Sequence, residues 1–131
     1  MENRHNSVSR IGIIMEATGI GEFKCEFARH LSPLTVASLL RSLPISGRLH
    51  KLGSTMRYLE TGLKIGAEKQ KSTFVKADIA FMTSNGSLCV VLEGGKGIPM
   101  NPVGRFLGDL SHLDSLSIGQ VVVIKRSTPQ P

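Results

Sequence analysis

The apolar residues of this chain fall into short runs broken by glycine, proline and polar pairs, and most runs have the period of a β-strand. The stretch that organises the rest is 78–92, where apolar runs at 79–82 and 88–92 flank Thr-Ser-Asn-Gly-Ser. Both Asn85 and Gly86 tolerate the positive φ of a tight turn, so a central hairpin is predicted here. Leu88-Cys89-Val90-Val91-Leu92 is apolar at every position, the pattern of a strand covered on both faces or closed into a barrel. Five residues between Gly86-Ser87 and Gly94-Gly95 are too few for a helix.

Before the hairpin, 11–16 reads as a strand, with glycines at 19 and 21 for the turn that follows. Residues 22–27 alternate strictly, Phe23, Cys25 and Phe27 against Glu22, Lys24 and Glu26, so this strand has one wet face. A helix follows: Ser32 is its N-cap, Pro33 its first residue, and Val36, Leu39, Leu40 and Leu43 form an apolar stripe that Pro44 ends. Short strands are expected at 48–52, 55–59 and 63–65, and 66–76 as a polar connection whose Phe74 and Val75 dock on the core. Beyond the hairpin, the glycines and Pro99 of 93–100 predict a mobile loop. A strand at 103–107, a short helix from Asp109 to about Leu116 and a last strand at 121–125 complete the pattern.

Composition supports one domain over 11–126 with loose termini, 1–10 and 127–131. Hydrophobic residues make up 40% of the 131 and charged residues 20%, enough apolar material for a core. No apolar run approaches the length of a membrane span and the first residues lack a secretory core, which predicts a cytoplasmic protein; a monomer or weak oligomer is the separate expectation for its assembly. Cys25 and Cys89 sit in strands between apolar neighbours and read as buried, reduced thiols. Charge is uneven. Between 41 and 76, eight basic residues face only Glu60 and Glu68, and this segment carries the whole net charge of +6. Such a segment can attract polyanions, but one tyrosine and no tryptophan leave little for stacking single-stranded nucleic acid.

Enzyme constellations are missing. Gly94-Gly95-Lys96-Gly97 lacks the spacing and the Lys-Ser/Thr ending of a phosphate loop. His5, His30, His50 and His112 are scattered with no second ligand at helical spacing, so neither a metal nor any cofactor is expected. Asp78 reads as a turn cap.

The order of elements, together with Ser32-Pro33-Leu34-Thr35-Val36 at the first helix, Phe81-Met82 through Asn85-Gly86-Ser87, and Val103-Gly104-Arg105-Phe106 before the second, resembles the cyclophilin family, in particular its small prokaryotic members. The resemblance implies a mainly β, closed eight-stranded cyclophilin-like barrel with two capping helices. It also implies an outer groove that binds a proline-containing peptide or protein segment. Arg48, His50 and Arg57 are then the catalytic candidates, standing where the family has the arginine that acts on the prolyl nitrogen in peptidyl-prolyl isomerisation. The groove glutamine and phenylalanine of the family fall on Leu88 and Val90, and its tryptophan has no counterpart. Phe81, Met82, Leu88, Val90, Pro99 and Met100 are the expected groove lining. The reading is of a barrel that binds a peptide or small ligand with little or no catalysis; a weak isomerase is the alternative, and nucleic-acid binding through 41–76 the third.

Overall fold

Alternation along the strands builds the wall of the molecule. In the computed structural model, which describes residues 9–128, β1 (Arg10–Ala17) buries Ile11, Ile13, Met15 and Ala17 and turns Arg10 and Gly12 outward. The strand β2 (Gly21–Ala28) buries Cys25 and Phe27 in the same way. The remaining strands are β3 (Ile45–Leu52), β4 (Met56–Glu60), β5 (Lys71–Phe74), β6 (Asp78–Met82), β7 (Ser87–Val91), β8 (Gly95–Phe106) and β9 (Val121–Arg126), with helices α1 (Pro33–Ser42) and α2 (Leu110–Asp114). Neighbours run β2-β1-β9-β3-β4-β7-β6-β8, and the pairing of β2 with β8 shuts the ring. The protein is a mainly β, closed eight-stranded antiparallel barrel with two short helices.

Gly104 makes the closing seam possible. Opposite Phe27, it lies so near β2 that a Cβ there would stand 1.9 Å from the Glu26 carbonyl oxygen. No side chain larger than hydrogen fits without parting the two strands.

The helices stop the two ends. α1 joins the end of β2 to the start of β3, and α2 joins the end of β8 to the start of β9; because β2 and β8 are antiparallel, the two helices lie at opposite mouths. Val36 and Leu39 of α1 and Leu113 of α2, with Leu116 just beyond it, enter one interior cluster with Ile13, Phe27, Phe81, Val103 and Ile124. The leucine stripe of the first helix is core, as its period predicts.

Three predicted segments differ. Residues 63–65 form no strand. The predicted polar connection at 66–76 contains β5, with Phe74 buried and Val75 exposed. The predicted loop at 93–100 is instead, from Gly95 on, the first half of β8. Glycine and proline read as loop signals here, yet pairing with β5 gives the segment an extended partner. The first helix ends at Ser42 and the second is shorter than predicted, Leu110–Asp114, capped by the Asp109 carboxylate on the Ser111 N–H. At the ends, β1 begins at Arg10 and the Ser127 N–H still donates to Gly12 O; residues 1–8 and 129–131, expected to be loose, lie outside the described residues.

β8 cannot run straight. Its Arg105 pairs with Asp78 and its Gly95 with Phe74, so ten residues of β8 are matched by four in the chain from β5 to β6. Straight, those ten would span about 33 Å, whereas four residues reach at most about 14 Å. β8 therefore folds back between its two ladders, near Met100 and Asn101. Its second half belongs to the barrel, and its first half forms with β5 a two-stranded arm laid on the outer wall.

Beneath this arm is a second, smaller core. Met56 of β4, Ala80 and Met82 of β6, and Cys89 and Val91 of β7 face outward from the ring and are covered by Phe74 and Met100 of the arm. β7 is thus buried on both faces, as its unbroken apolar run predicts. Cys25 lies in the inner cluster and Cys89 in the outer one, free and separated by the wall. Burial pushes both thiols up to about 12, so neither is a nucleophile at neutral pH. Among the described residues no helix is long and apolar enough to cross a membrane.

Candidate functional site

The residues expected to line a groove are distributed over three environments. Phe81, Leu88 and Val90 point into the barrel interior. Met82 and Met100 lie in the outer core beneath the arm, and Pro99 is exposed on the arm itself. The six do not meet, because alternate residues of β6 and β7 face opposite sides of the wall.

The three basic candidates are also separated. Arg57 stands on β4 opposite Val90 and shares its inward face; its side chain is 6% exposed. Its guanidinium donates to the Asp114 carboxylate of α2 and to the carbonyls of Met56 and Gly53, while Nε is buried without a partner. This arginine ties α2 over the barrel mouth. Arg48 is exposed and donates to Gly119 O at 3.0 Å. His50 stacks on Tyr58 with ring centroids 5.1 Å apart. None of the three faces an apolar groove beside Phe81 and Val90.

A cleft of about 230 Å³ does exist, on the outer surface between β2 and the arm. Ala28 of β2, Pro102 and Gly104 of β8, and Phe74 and Ile79 form its apolar lining; all are buried or nearly so. Around it stand Arg10, His30, Lys71 and Arg105, against two carboxylates, Glu26 and Asp78. Both carboxylates are engaged. Glu26 accepts from Arg10 at 3.1 Å and Asp78 from Arg105 at 2.9 Å, and the second Asp78 oxygen accepts from the Val75 N–H, the turn cap the sequence predicts. Lys71 has no carboxylate within ion-pair distance among the described residues; its ammonium lies 5.0 Å above the Phe74 ring centroid. The cleft therefore has an apolar floor and a cationic surplus at its rim. A smaller space, about 100 Å³, opens on the other side of the arm between Met56, Val91 and the segment 93–98, where β8 begins.

Of this cleft the sequence signalled only fragments. Lys71 belongs to the basic segment and Phe74 was expected to dock, but Arg10, His30 and Arg105 come from distant stretches that only barrel closure brings together.

One polar network anchors the chain that leads into the arm. The Glu68 carboxylate accepts from the backbone N–H groups of Leu34 and Thr35 and from the Thr35 hydroxyl, at 3.0, 2.8 and 2.7 Å. It caps α1 from across the structure, while Ser32, at the N-cap position, makes no side-chain cap bond. Asn101, fully buried at the fold in β8, donates to Thr35 Oγ1 and Gly66 O and accepts from the Glu68 N–H, so both its donors and its oxygen are engaged. Burial raises the Glu68 pKa, but the hydrogen bonds from Leu34 and Thr35, with Lys69 nearby, outweigh it and hold the carboxyl below its ordinary value. Glu68 is thus a structural carboxylate. Among the described residues no three His, Cys, Asp or Glu side chains are grouped to hold a metal ion.

No protein-family model matches the chain, and no curated protein matches it by sequence. Several solved structures share its shape, AF2241 and McbB among them. A hypothetical protein of Archaeoglobus fulgidus, AF2241, superposes with a TM-score of 0.72 at 20% identity, over 91% of this chain and 96% of that one. McbB, solved in complex with tryptophan, gives a TM-score of 0.72 at 15% identity, over 91% of this chain but 46% of McbB, so the chain spans about half of that protein. At these identities the likeness establishes the barrel fold.

Proposed function

We propose that this barrel is a non-catalytic binding module, in the manner of a cyclophilin-like domain, whose ligand occupies the cleft between β2 and the arm and carries an apolar body and a carboxylate. The observation behind this reading is the pairing of an apolar floor with an unbalanced rim: each acid in the cleft is already claimed, and Lys71 is left over. A carboxylate placed there exchanges hydration for a charged partner beside a low-dielectric wall, where such a contact is worth more than in open water. McbB, about half of which shares this fold, is solved in complex with tryptophan, an apolar amino acid with a carboxylate and so a member of the same ligand class.

The engagement of Arg57 supports a reading without prolyl isomerisation. An isomerase needs an arginine free to donate to a prolyl nitrogen next to an apolar pocket. Arg57 directs both its terminal nitrogens to Asp114 and two carbonyls, Arg48 is exposed and bound to Gly119 O, and His50 is half-buried against Tyr58. A protease-coupled assay on X–Pro peptides is expected to give no rate above the uncatalysed one. Any acceleration abolished by Arg57→Lys would restore the isomerase reading.

Binding is tested by titrating the protein with N-acetyl-leucine and N-acetyl-phenylalanine while following backbone amides by NMR. Shifts are expected at Ala28, His30, Lys71 and Gly104, lost in Lys71→Glu and in the amide-capped forms of the same ligands. Shifts confined to other surfaces, or equal binding of the uncharged amides, would overturn the reading.

A further inference from the structure

The cleft has a feature that a small ligand does not use: one of its walls is a strand with an open edge. β5 pairs with β8 alone and ends the order of strands, so among the described residues its other edge has no β partner. The position of the arm shows which way that edge faces. The larger cleft is lined by Lys71 and Phe74 of β5 and by no residue of the first half of β8, whereas the smaller space on the far side is lined by Gly95–Ile98 and no strand residue of β5 but Phe74. The paired edge therefore looks toward the smaller space and the open edge toward the cleft.

An open edge presents unpaired backbone N–H and C=O groups, and an extended chain satisfies them by joining as a further strand. We infer that the cleft takes an extended peptide that adds antiparallel or parallel to the free edge of β5, with alternate residues acidic and apolar. This rests on the binding reading above and specifies its ligand as a peptide. Period two supplies the pattern. Side chains on one side of the added strand lie on Ala28 and Pro102, and those on the other reach the rim, where Lys71 is the cation without an acid. A second copy of this chain is a poorer occupant. It would set the cationic rim of one cleft against that of another, a like-charge contact that the acidic peptide replaces with opposite charges.

The test uses an acetylated hexapeptide of alternating valine and glutamate, the same peptide N-methylated at alternate amides, and one in which glutamine replaces glutamate. NMR with the full-length protein reads binding and hydrogen exchange at the amides of β5. The parent peptide is expected to bind and slow exchange there, while N-methylation on the pairing edge and Lys71→Glu each weaken affinity by at least about tenfold, the value of a single lost hydrogen bond or charge contact. Glutamine substitution should weaken it similarly, and added salt should weaken only the charged peptide.

If N-acetyl amino acids bind but the hexapeptide binds no better and N-methylation has no effect, the inference fails and the small-ligand reading stands. If neither class binds, both fail. Protection of β5 amides that grows with protein concentration, without peptide, would assign the edge to a second copy and also overturn the inference.

Discussion

The inside of the ring and the outside of the same wall are both apolar, yet they are covered in different ways. The inner cluster draws on all eight ring strands and both helices, so every element that folds adds to it. The outer cluster draws only on β4 through β8, and its cover is an arm of two short strands rich in lysine, serine, threonine, glycine and proline. A core that closes on itself is bound to global stability; a core closed by a flap can open locally at lower cost. The comparison separates what holds the barrel from what shapes the cleft.

Phe81→Ala tests the inner core most directly. With its side chain fully buried, the loss is expected at about 4 kcal/mol of global stability in urea unfolding. Gly104→Ala attacks the seam, where the new Cβ meets the Glu26 carbonyl, and about 3 kcal/mol of overpacking strain is expected. A crystal structure of that variant should show β2 and β8 moved apart. If Gly104→Ala is neutral, the closeness of the seam is not what closes the ring.

Phe74→Ala removes the main lid residue of the outer core. Because arm opening limits the damage, about 2 kcal/mol is expected globally, with amide exchange accelerated in β5 and the first half of β8 rather than in the ring. Uniform acceleration throughout would mean that arm and barrel are one cooperative unit, and the contrast drawn here would not hold.

Glu68→Gln gives the smallest effect, about 1 kcal/mol, the value of a helix cap. Its pH dependence has a definite sign. The folded carboxyl titrates below its ordinary value, so its contribution is complete above the unfolded value of about 4.3 and disappears as pH falls through the lower folded one. The stability gap between wild type and Glu68→Gln should therefore narrow on acidification across that window. A gap that widens would contradict the network.

The distribution of site residues shows why sequence reading stops where it does. Phe81, Leu88 and Val90 are groove residues only through the family resemblance, and apolarity does not say which side of a wall a residue faces. Arg57 is a candidate because the resemblance expects an arginine on the strands after the first helix, and the carboxylate that engages it instead, Asp114, lies fifty-seven residues away. Arg10, His30, Lys71 and Arg105 share no run, spacing or motif.

By itself the sequence determined individual strands and the first plug: alternation in β1 and β2, the Asn85-Gly86 turn, the leucine stripe of α1 and the doubly apolar β7 all depend on local spacing and neighbours in the chain, whereas closure into a ring was implied only by the family resemblance. It even demanded a cover for the outer face of β7. Only the tertiary structure decided that this cover is the chain's own arm, and that its far side leaves a cationic cleft and an open strand edge. Backbone pairing can make a strand of a polar, glycine-rich segment without apolar periodicity, so the arm leaves no pattern to read until its partners are in place.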